Sequence, residues 1–164
     1  MFEWFTRLFR RRSASTPLPA RSDDDEILGS LSSLQAAIAG KVPDMVQARV
    51  DRVSSVVRDT VPRLGNLGPG SFTAHDVLRT ATSYMPEAVN AYLRLPRSFA
   101  DHRPVSNGKT SLTVLCDQLD LLGSKMDDVF DAVCRADADA LIAHGRFLAE
   151  KFGTGALALD PRQR

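Results

Sequence analysis

The clearest candidates for chemistry are four basic side chains that lie close together in the second half of the chain. They are Arg94, Arg97, Arg103 and Lys109. Guanidinium and ammonium groups bind phosphate and similar anions through charge-assisted hydrogen bonds. The sequence therefore predicts an anion-binding site along residues 94–109, and hydrolysis of phosphoesters at that site is an alternative function.

Residues 107–111 read Asn-Gly-Lys-Thr-Ser and resemble the end of a nucleotide-binding phosphate loop. That loop requires a glycine five residues before Gly108, but position 103 is arginine and no apolar strand precedes it. Nucleotide binding is therefore not expected. We interpret Thr110 or Asn107 as the cap of the following helix, with Lys109 exposed.

The side chains that bind metals or act as general acids and bases are dispersed. His75, His102 and His144 lie in three different segments, and no two cysteines are separated by two residues. Cys116 and Cys134 are interpreted as buried free thiols. Several acids recur near helical intervals and are interpreted as a solvated helix face: Asp117, Asp120, Asp127, Asp128 and Asp131. No catalytic residue, metal site or cofactor is expected.

The net charge of +1 conceals an uneven distribution. Residues 1–22 hold five arginines against Glu3, a charge of +4, so the other residues sum to −3. A nucleic-acid-binding body needs a clustered basic face that neutralises phosphates. Binding of nucleic acid is therefore not expected.

Residues 1–12 combine aromatic and basic side chains. Drawn as a helix, the segment has an apolar face suited to an anionic membrane surface or to a groove on a protein partner. It is too short to span a bilayer, and its arginines follow the apolar residues, the reverse of a secretory signal. Docking on the chain's own core and disorder are the alternatives. The residues expected to make contact are Phe2, Trp4, Phe5, Arg7, Leu8, Phe9, Arg10, Arg11 and Arg12.

The remaining chain divides into a linker at 13–22, a helical domain at 23–153 and a flexible tail at 154–164. The linker is small, polar and proline-bearing. Ser22 and the acids after it predict the cap of a first helix, which ends at Gly40. Its apolar stripe is Ile27, Leu31, Leu34 and Ile38.

Apolar residues at spacings of three and four predict further helices. A second runs from Asp44 to about Leu64, shortened by Pro62. A Thr73–Asp76 capping box opens a third, and Pro86 breaks it near Met85. The inward positions are Val46, Val50, Val53, Val57, Val61 and Leu64, then Val77, Leu78, Ala81 and Tyr84, then Val89, Tyr92 and Leu95. Residues 96–108 are predicted to be an irregular loop.

The longest stripe comprises Leu112, Leu115, Leu119, Leu122, Met126, Val129 and Val133. Its flanking positions lack the charges of a two-stranded coiled coil, so the helix is predicted to be the broad-faced centre of a bundle. A final helix is expected to restart after Arg135 and Ala136, with Leu141, Ile142, Leu148 and Phe152 inward until Gly153. The predicted fold is an all-α, antiparallel bundle of four to six helices with a short amino-terminal amphipathic helix.

Tyr84-Met-Pro-Glu-Ala-Val-Asn-Ala-Tyr92, with Gln118-Leu-Asp-Leu-Leu122, resembles the bacterial 5-bromo-4-chloroindolyl phosphate hydrolysis (XpaC-like) family. The resemblance covers about residues 84–125, and Met85 and Ala88 depart from the leucine and threonine of the family pattern. It implies an all-helical bacterial protein, often membrane-associated and linked to toxic-anion resistance. It implies no catalytic residues.

The sequence thus predicts a non-enzymatic binding or adaptor protein, cytoplasmic and peripheral at the inner face of the membrane, with a role in toxic-anion or envelope stress. Its expected partners are a protein or an anionic membrane, contacted through residues 1–12. Two alternatives remain open. One is the anion-binding or phosphoester-hydrolysing site at 94–109, and the other is a homo-oligomer paired through the 112–133 stripe.

Overall fold

The computed structural model describes residues 20–67 and 71–153, with side chains from residue 23 onward except those of 66 and 67. The predicted membrane or partner contact at residues 1–12 and the predicted tail at 154–164 lie outside the described residues. The first helix already begins at Ala20. Residues 20–22 therefore belong to that helix and not to the linker, and Ser22 is not its cap.

The described chain is mostly helical, which confirms the all-α class. The helices are α1 Ala20–Ile38, α2 Asp44–Thr60, α3 Phe72–Arg79, α4 Met85–Leu93, α5 Arg97–Ala100 and α6 Ser111–Gly153. A 3-10 helix at Val61–Leu67 follows α2, and a π-helical turn at Thr80–Tyr84 joins α3 to α4. A short antiparallel hairpin, β1 Pro104–Ser106 and β2 Lys109–Thr110, precedes α6. No helix in the described ranges is long and apolar enough to cross a membrane.

The predicted apolar stripes form the core. All four stripe positions of α1 and all six predicted for the second helix are buried. In α6, Leu115, Leu119, Met126, Val129 and Val133 are buried, while Leu112 and Leu122 pack against them partly exposed. Cys116 and Gly123 are buried beside this stripe, which confirms its breadth. The apolar face formed by this stripe is therefore part of the core of the chain itself.

Helices α2 and α6 run in the same direction. Arg49 pairs with Asp120 and Arg52 with Asp127, so partner numbers rise together along both helices. A parallel pair requires a long return connection, and residues 61–110 provide it. The predicted antiparallel arrangement does not hold for this pair.

The two prolines shape the helices differently. α2 ends at Thr60, two residues before Pro62, as the sequence predicts, and the chain continues as the 3-10 helix. Before Pro86 the helix widens: the Met85 N–H donates to the Thr80 carbonyl, five residues back. The irregularity therefore lies ahead of the expected break, within Thr80–Tyr84.

The π-helical turn leaves one carbonyl without a helical donor. In the same five-residue pattern the Ala81 carbonyl would face Pro86, which has no N–H. The hydroxyl of Ser30 on α1 donates to that carbonyl at 2.9 Å. The widened turn is thus attached to α1 by the hydrogen bond that proline cannot make.

Three other sequence predictions are wrong. Ser71 occupies the cap position of α3 and Thr73 lies inside its first turn, so the predicted Thr73–Asp76 box does not form the cap. Tyr84 is exposed, with the Arg79 guanidinium above its ring. Residues 96–108 are not wholly irregular, because they contain α5 and most of the hairpin.

The predicted restart after Arg135 and Ala136 is also wrong, because α6 continues unbroken to Gly153. No glycine or proline lies between residues 124 and 144 to end it, and the alanines there favour helix. Every residue from 138 to 153 is exposed, including the four that the sequence placed inward: Leu141, Ile142, Leu148 and Phe152. We call residues 138–153 the α6 extension.

Candidate functional site

The predicted anion site is built from the end of α4, the single turn α5 and the hairpin. Asp101, at the end of α5, accepts a 2.6 Å hydrogen bond from the Tyr92 hydroxyl and a 2.9 Å hydrogen bond from Arg97 Nε. Arg97 Nη1 also donates to the Lys41 carbonyl, 3.2 Å away in the turn between α1 and α2. These contacts join α4 and α5 to the turn between α1 and α2.

The protonation of this cluster follows from its surroundings. Burial, followed by the hydrogen bond to Asp101, raises the pKa of Tyr92 to about 12, so the hydroxyl remains a donor at neutral pH. Burial acts to raise the pKa of Asp101, but the hydrogen bonds from Tyr92 and Arg97 outweigh it and lower that pKa. The cluster is thus a carboxylate held by a neutral phenol and a cation, with no proton to exchange near neutral pH.

The hairpin positions Lys109. Asn107 and Gly108 form its turn with φ of 48° and 75°, the left-handed pair that a tight two-residue hairpin requires. Lys109 then extends to Asp117 on the first turns of α6 and forms an ion pair. The Thr110 hydroxyl accepts from the Thr113 N–H at 3.2 Å, which confirms Thr110 as the cap of α6.

The four predicted anion ligands therefore differ in availability. Arg97 and Lys109 are engaged by Asp101 and Asp117. Within the described ranges Arg94 and Arg103 form no ion pair, and both are exposed. An anion bound by all four must compete with two carboxylates.

A small cleft of about 160 Å³ lies between α4, the hairpin and the start of α6. Its walls are mainly apolar, with Tyr92, Val105 and Leu115 among them, and Ser111 and Gln118 contribute polar side chains. Ligand pockets that enclose a drug-sized molecule usually measure roughly 300–1,000 Å³. The cleft is suited to a small apolar group rather than to a phosphoester.

The described residues contain no group of three His, Cys, Asp or Glu side chains that could hold a metal ion. Both cysteines are free, as predicted, but Cys116 alone is fully buried. Burial raises the pKa of the Cys116 thiol, so it is protonated at neutral pH and is a poor nucleophile.

Some of the predicted solvated acids of α6 have specific partners. Arg49 Nε donates to Asp120 at 3.0 Å, and Arg52 pairs with Asp127. The sequence predicted only a solvated face for these acids and gave them no partner. The sequence shows basic positions on one amphipathic helix and acidic positions on another, but which of them meet depends on how the two helices pack.

The α6 extension holds four apolar side chains that the sequence wrongly placed inward. Leu141 is 72% exposed and Phe152 is 65% exposed. Phe147, also exposed, stacks on His144 with ring centroids 6.3 Å apart, and the Lys151 ammonium lies over the Phe147 ring. An exposed apolar helix face of this kind marks an interaction surface.

Comparison with protein-family models, with curated proteins and with solved structures finds no match to this chain. The resemblance of residues 84–125 to the indolyl phosphate hydrolysis family stays a prediction. The features that bear on function are thus the basic side chains of 94–109, the small cleft, the α6 extension and the sequence of residues 1–12.

Proposed function

We propose that this chain is a non-enzymatic helical binding protein, attached to the cytoplasmic face of an anionic membrane by residues 1–12. The observation that carries the proposal is the partition of charge: +4 in residues 1–22 against −3 in the rest of the chain. A mildly acidic body is repelled by anionic lipid, so attachment falls to the basic segment. The family resemblance adds a role in toxic-anion or envelope stress.

The chemistry of the segment supports this proposal. Phe2, Phe5 and Phe9 recur at helical spacing, and the arginines cluster from Arg7 onward. Aromatic rings enter the boundary between headgroups and acyl chains, while each arginine near an anionic surface contributes about 1 kcal/mol. Attachment to the membrane by one such short segment is reversible.

The described body supports a binding role over catalysis. The Asp101 carboxylate is held by Tyr92 and Arg97, the Cys116 thiol is protonated, and the cleft is small and apolar. A general acid or base needs a pKa near the operating pH and access to substrate. Neither Asp101 nor Cys116 meets both conditions.

Flotation with lipid vesicles tests the proposal. The full chain should float with vesicles of phosphatidylglycerol and phosphatidylcholine but not with phosphatidylcholine alone, and residues 13–164 should remain at the bottom. Arg10→Gln/Arg11→Gln should lower partitioning about 30-fold, since two arginines contribute about 2 kcal/mol. Equal flotation of the full chain and of residues 13–164 would contradict the proposal.

A matched control removes the same charge from the body. Arg94→Gln/Arg103→Gln also deletes two positive charges, both exposed and without an ion pair within the described ranges. It should float as the full chain does. A loss equal to that of Arg10→Gln/Arg11→Gln would show that net charge, and not the segment, governs attachment.

The exposure of Arg94 and Arg103 also favours a second candidate function, binding of a small oxyanion at 94–109. Calorimetry with phosphate and with tellurite on the full chain tests it directly. Heat that disappears in Arg94→Gln/Arg103→Gln would support the site. An identical titration of the full chain and the double variant would remove it.

A further inference from the structure

The α6 extension is a helix without cover from the described part of the chain. Its 16 residues, 138–153, measure about 24 Å, and all of them are exposed. Isolated helices of this length are marginal in water unless an apolar face is buried. The extension is continuous with α6 and its apolar side is open to a partner.

The apolar positions of the extension follow the spacing of a helix-pairing seam. They are Ala138, Leu141, Gly145, Leu148 and Phe152, at successive intervals of three and four. This spacing keeps one face directed at a neighbouring helix. Two of the five positions are small, which lets another backbone approach closely.

Charge identifies the occupant. Within the extension, residues 138–142 carry Asp139 alone, a charge of −1, whereas residues 143–153 carry Arg146 and Lys151 against Glu150, a charge of +1. A segment of opposite charge at its two ends is complementary to itself in the antiparallel direction. The dipoles of the two helices also oppose each other in that direction.

Other occupants lack this complementarity. Residues 1–12 carry four arginines and one glutamate, and the extension as a whole is neutral, so it offers that basic segment no net attraction. The same neutrality gives the extension no attraction to anionic lipid. A second copy of the chain is the occupant that both the spacing and the charge fit.

We propose that the α6 extension pairs antiparallel with the extension of a second copy, forming a two-fold symmetric dimer. The antiparallel register that brings seam positions together sets Leu148 against Ala138 of the second copy and Leu141 against its Gly145. Each large side chain then faces a small residue. In the same register Asp139 lies level with Phe147 of the second copy, one residue from its Arg146.

Sedimentation equilibrium of the full chain without lipid tests the dimer. Wild-type protein should dimerise with rising concentration, and Leu141→Glu should raise the dissociation constant at least about tenfold, because it places a carboxylate in the seam. Leu121→Glu is the matched control: Leu121 lies on the same helix and is 71% exposed, against 72% for Leu141, but lies outside the seam. It should dimerise as wild type does.

A charge variant tests the direction of pairing. Asp139→Lys changes the charge of residues 138–142 from −1 to +1, so in an antiparallel pair it sets like charges together and should weaken the dimer about two- to fivefold at low salt. The difference should disappear at high salt. In a parallel pair the change replaces one like-charge contact by another, so an unchanged dissociation constant would overturn the antiparallel assignment.

The remaining outcomes separate this inference from the proposed membrane attachment. Residues 13–164 should dimerise as the full chain does, whether or not residues 1–12 bind lipid. A wild-type chain that stays monomeric, or a Leu121→Glu variant that dissociates as Leu141→Glu does, would overturn the dimer. A monomer in which Leu141→Glu shifts the emission of Trp4 to longer wavelength would show that residues 1–12 cover the extension instead.

Discussion

At the level of single residues, two buried hydroxyl groups differ in their hydrogen bonding: one has a partner and the other has none in the described ranges. Tyr92, 3% exposed, donates to Asp101 and connects α4 to the segment that carries Arg97. Ser54 is fully buried on α2, and its hydroxyl has no hydrogen-bond partner within the described ranges. The sequence predicts that Tyr92 faces inward, but its partner is nine residues away and depends on how α5 turns.

Tyr92→Phe should lower the free energy of unfolding by about 1.5–3 kcal/mol at neutral pH, because it removes a hydrogen bond to a charged acceptor. The raised pKa of Tyr92, about 12 against an ordinary 10.0, means that its contribution is complete below pH 10 and is lost as pH rises toward 12. The lowered pKa of Asp101 gives a contribution present above pH 3.8 and lost in more acidic solution.

Urea unfolding between pH 7 and pH 12 measures the Tyr92 effect. The difference between wild type and Tyr92→Phe should shrink above pH 10. The second tyrosine, Tyr84, is exposed, so Tyr84→Phe should change the unfolding free energy by less than about 0.5 kcal/mol. A constant difference across this pH range would contradict the assigned hydrogen bond.

Ser54→Ala should stabilise the fold by about 1 kcal/mol, since it removes a buried hydroxyl that lacks a partner and introduces a better helix former. The neighbouring Ser55 is exposed, and Ser55→Ala gains only the smaller helix-propensity term. Thermal unfolding of both variants gives the comparison. A destabilised Ser54→Ala variant would show that this hydroxyl has a partner after all.

At the scale of elements, the stripes of α1, α2 and α6 could be predicted because spacing alone determines which face is apolar. The direction of α2 relative to α6 could not, because it depends on the path of residues 61–110. The hairpin could have been predicted from Asn107 and Gly108, because Asn-Gly is a strong signal for a two-residue hairpin turn. The same residues also resemble the end of a phosphate loop. The exposure of Leu141 could not, since periodicity defines an apolar face but not whether a neighbour covers it.

The attachment of the π-helical turn to α1 gives a prediction at this scale. Ser30→Ala should destabilise the fold by about 1–2 kcal/mol, because it leaves the Ala81 carbonyl without the donor that Pro86 cannot supply. Ser33→Ala, on an exposed position of the same helix, should have little effect. Chemical unfolding distinguishes the two, and equal stabilities of the variants would remove this role of Ser30.

At the level of the whole molecule, five basic side chains of the described body form ion pairs with acids, and a basic aromatic segment precedes the bundle in the sequence. Arg49, Arg52 and Arg63 of the α2 region pair with acids of α6, and Arg97 and Lys109 pair near the hairpin. The uneven charge was visible in the sequence. The pairing of Arg49, Arg52 and Arg63 with α6 was not, because it joins residues far apart along the chain.

Attachment of residues 1–12 to a membrane can be followed by the emission of Trp4, the single tryptophan of the chain. Vesicles containing phosphatidylglycerol should shift that emission to shorter wavelength as the ring enters the headgroup region, and high salt should weaken the response. Phosphatidylcholine vesicles should leave it unchanged. An emission maximum that does not move with anionic vesicles at low salt would contradict membrane attachment through residues 1–12.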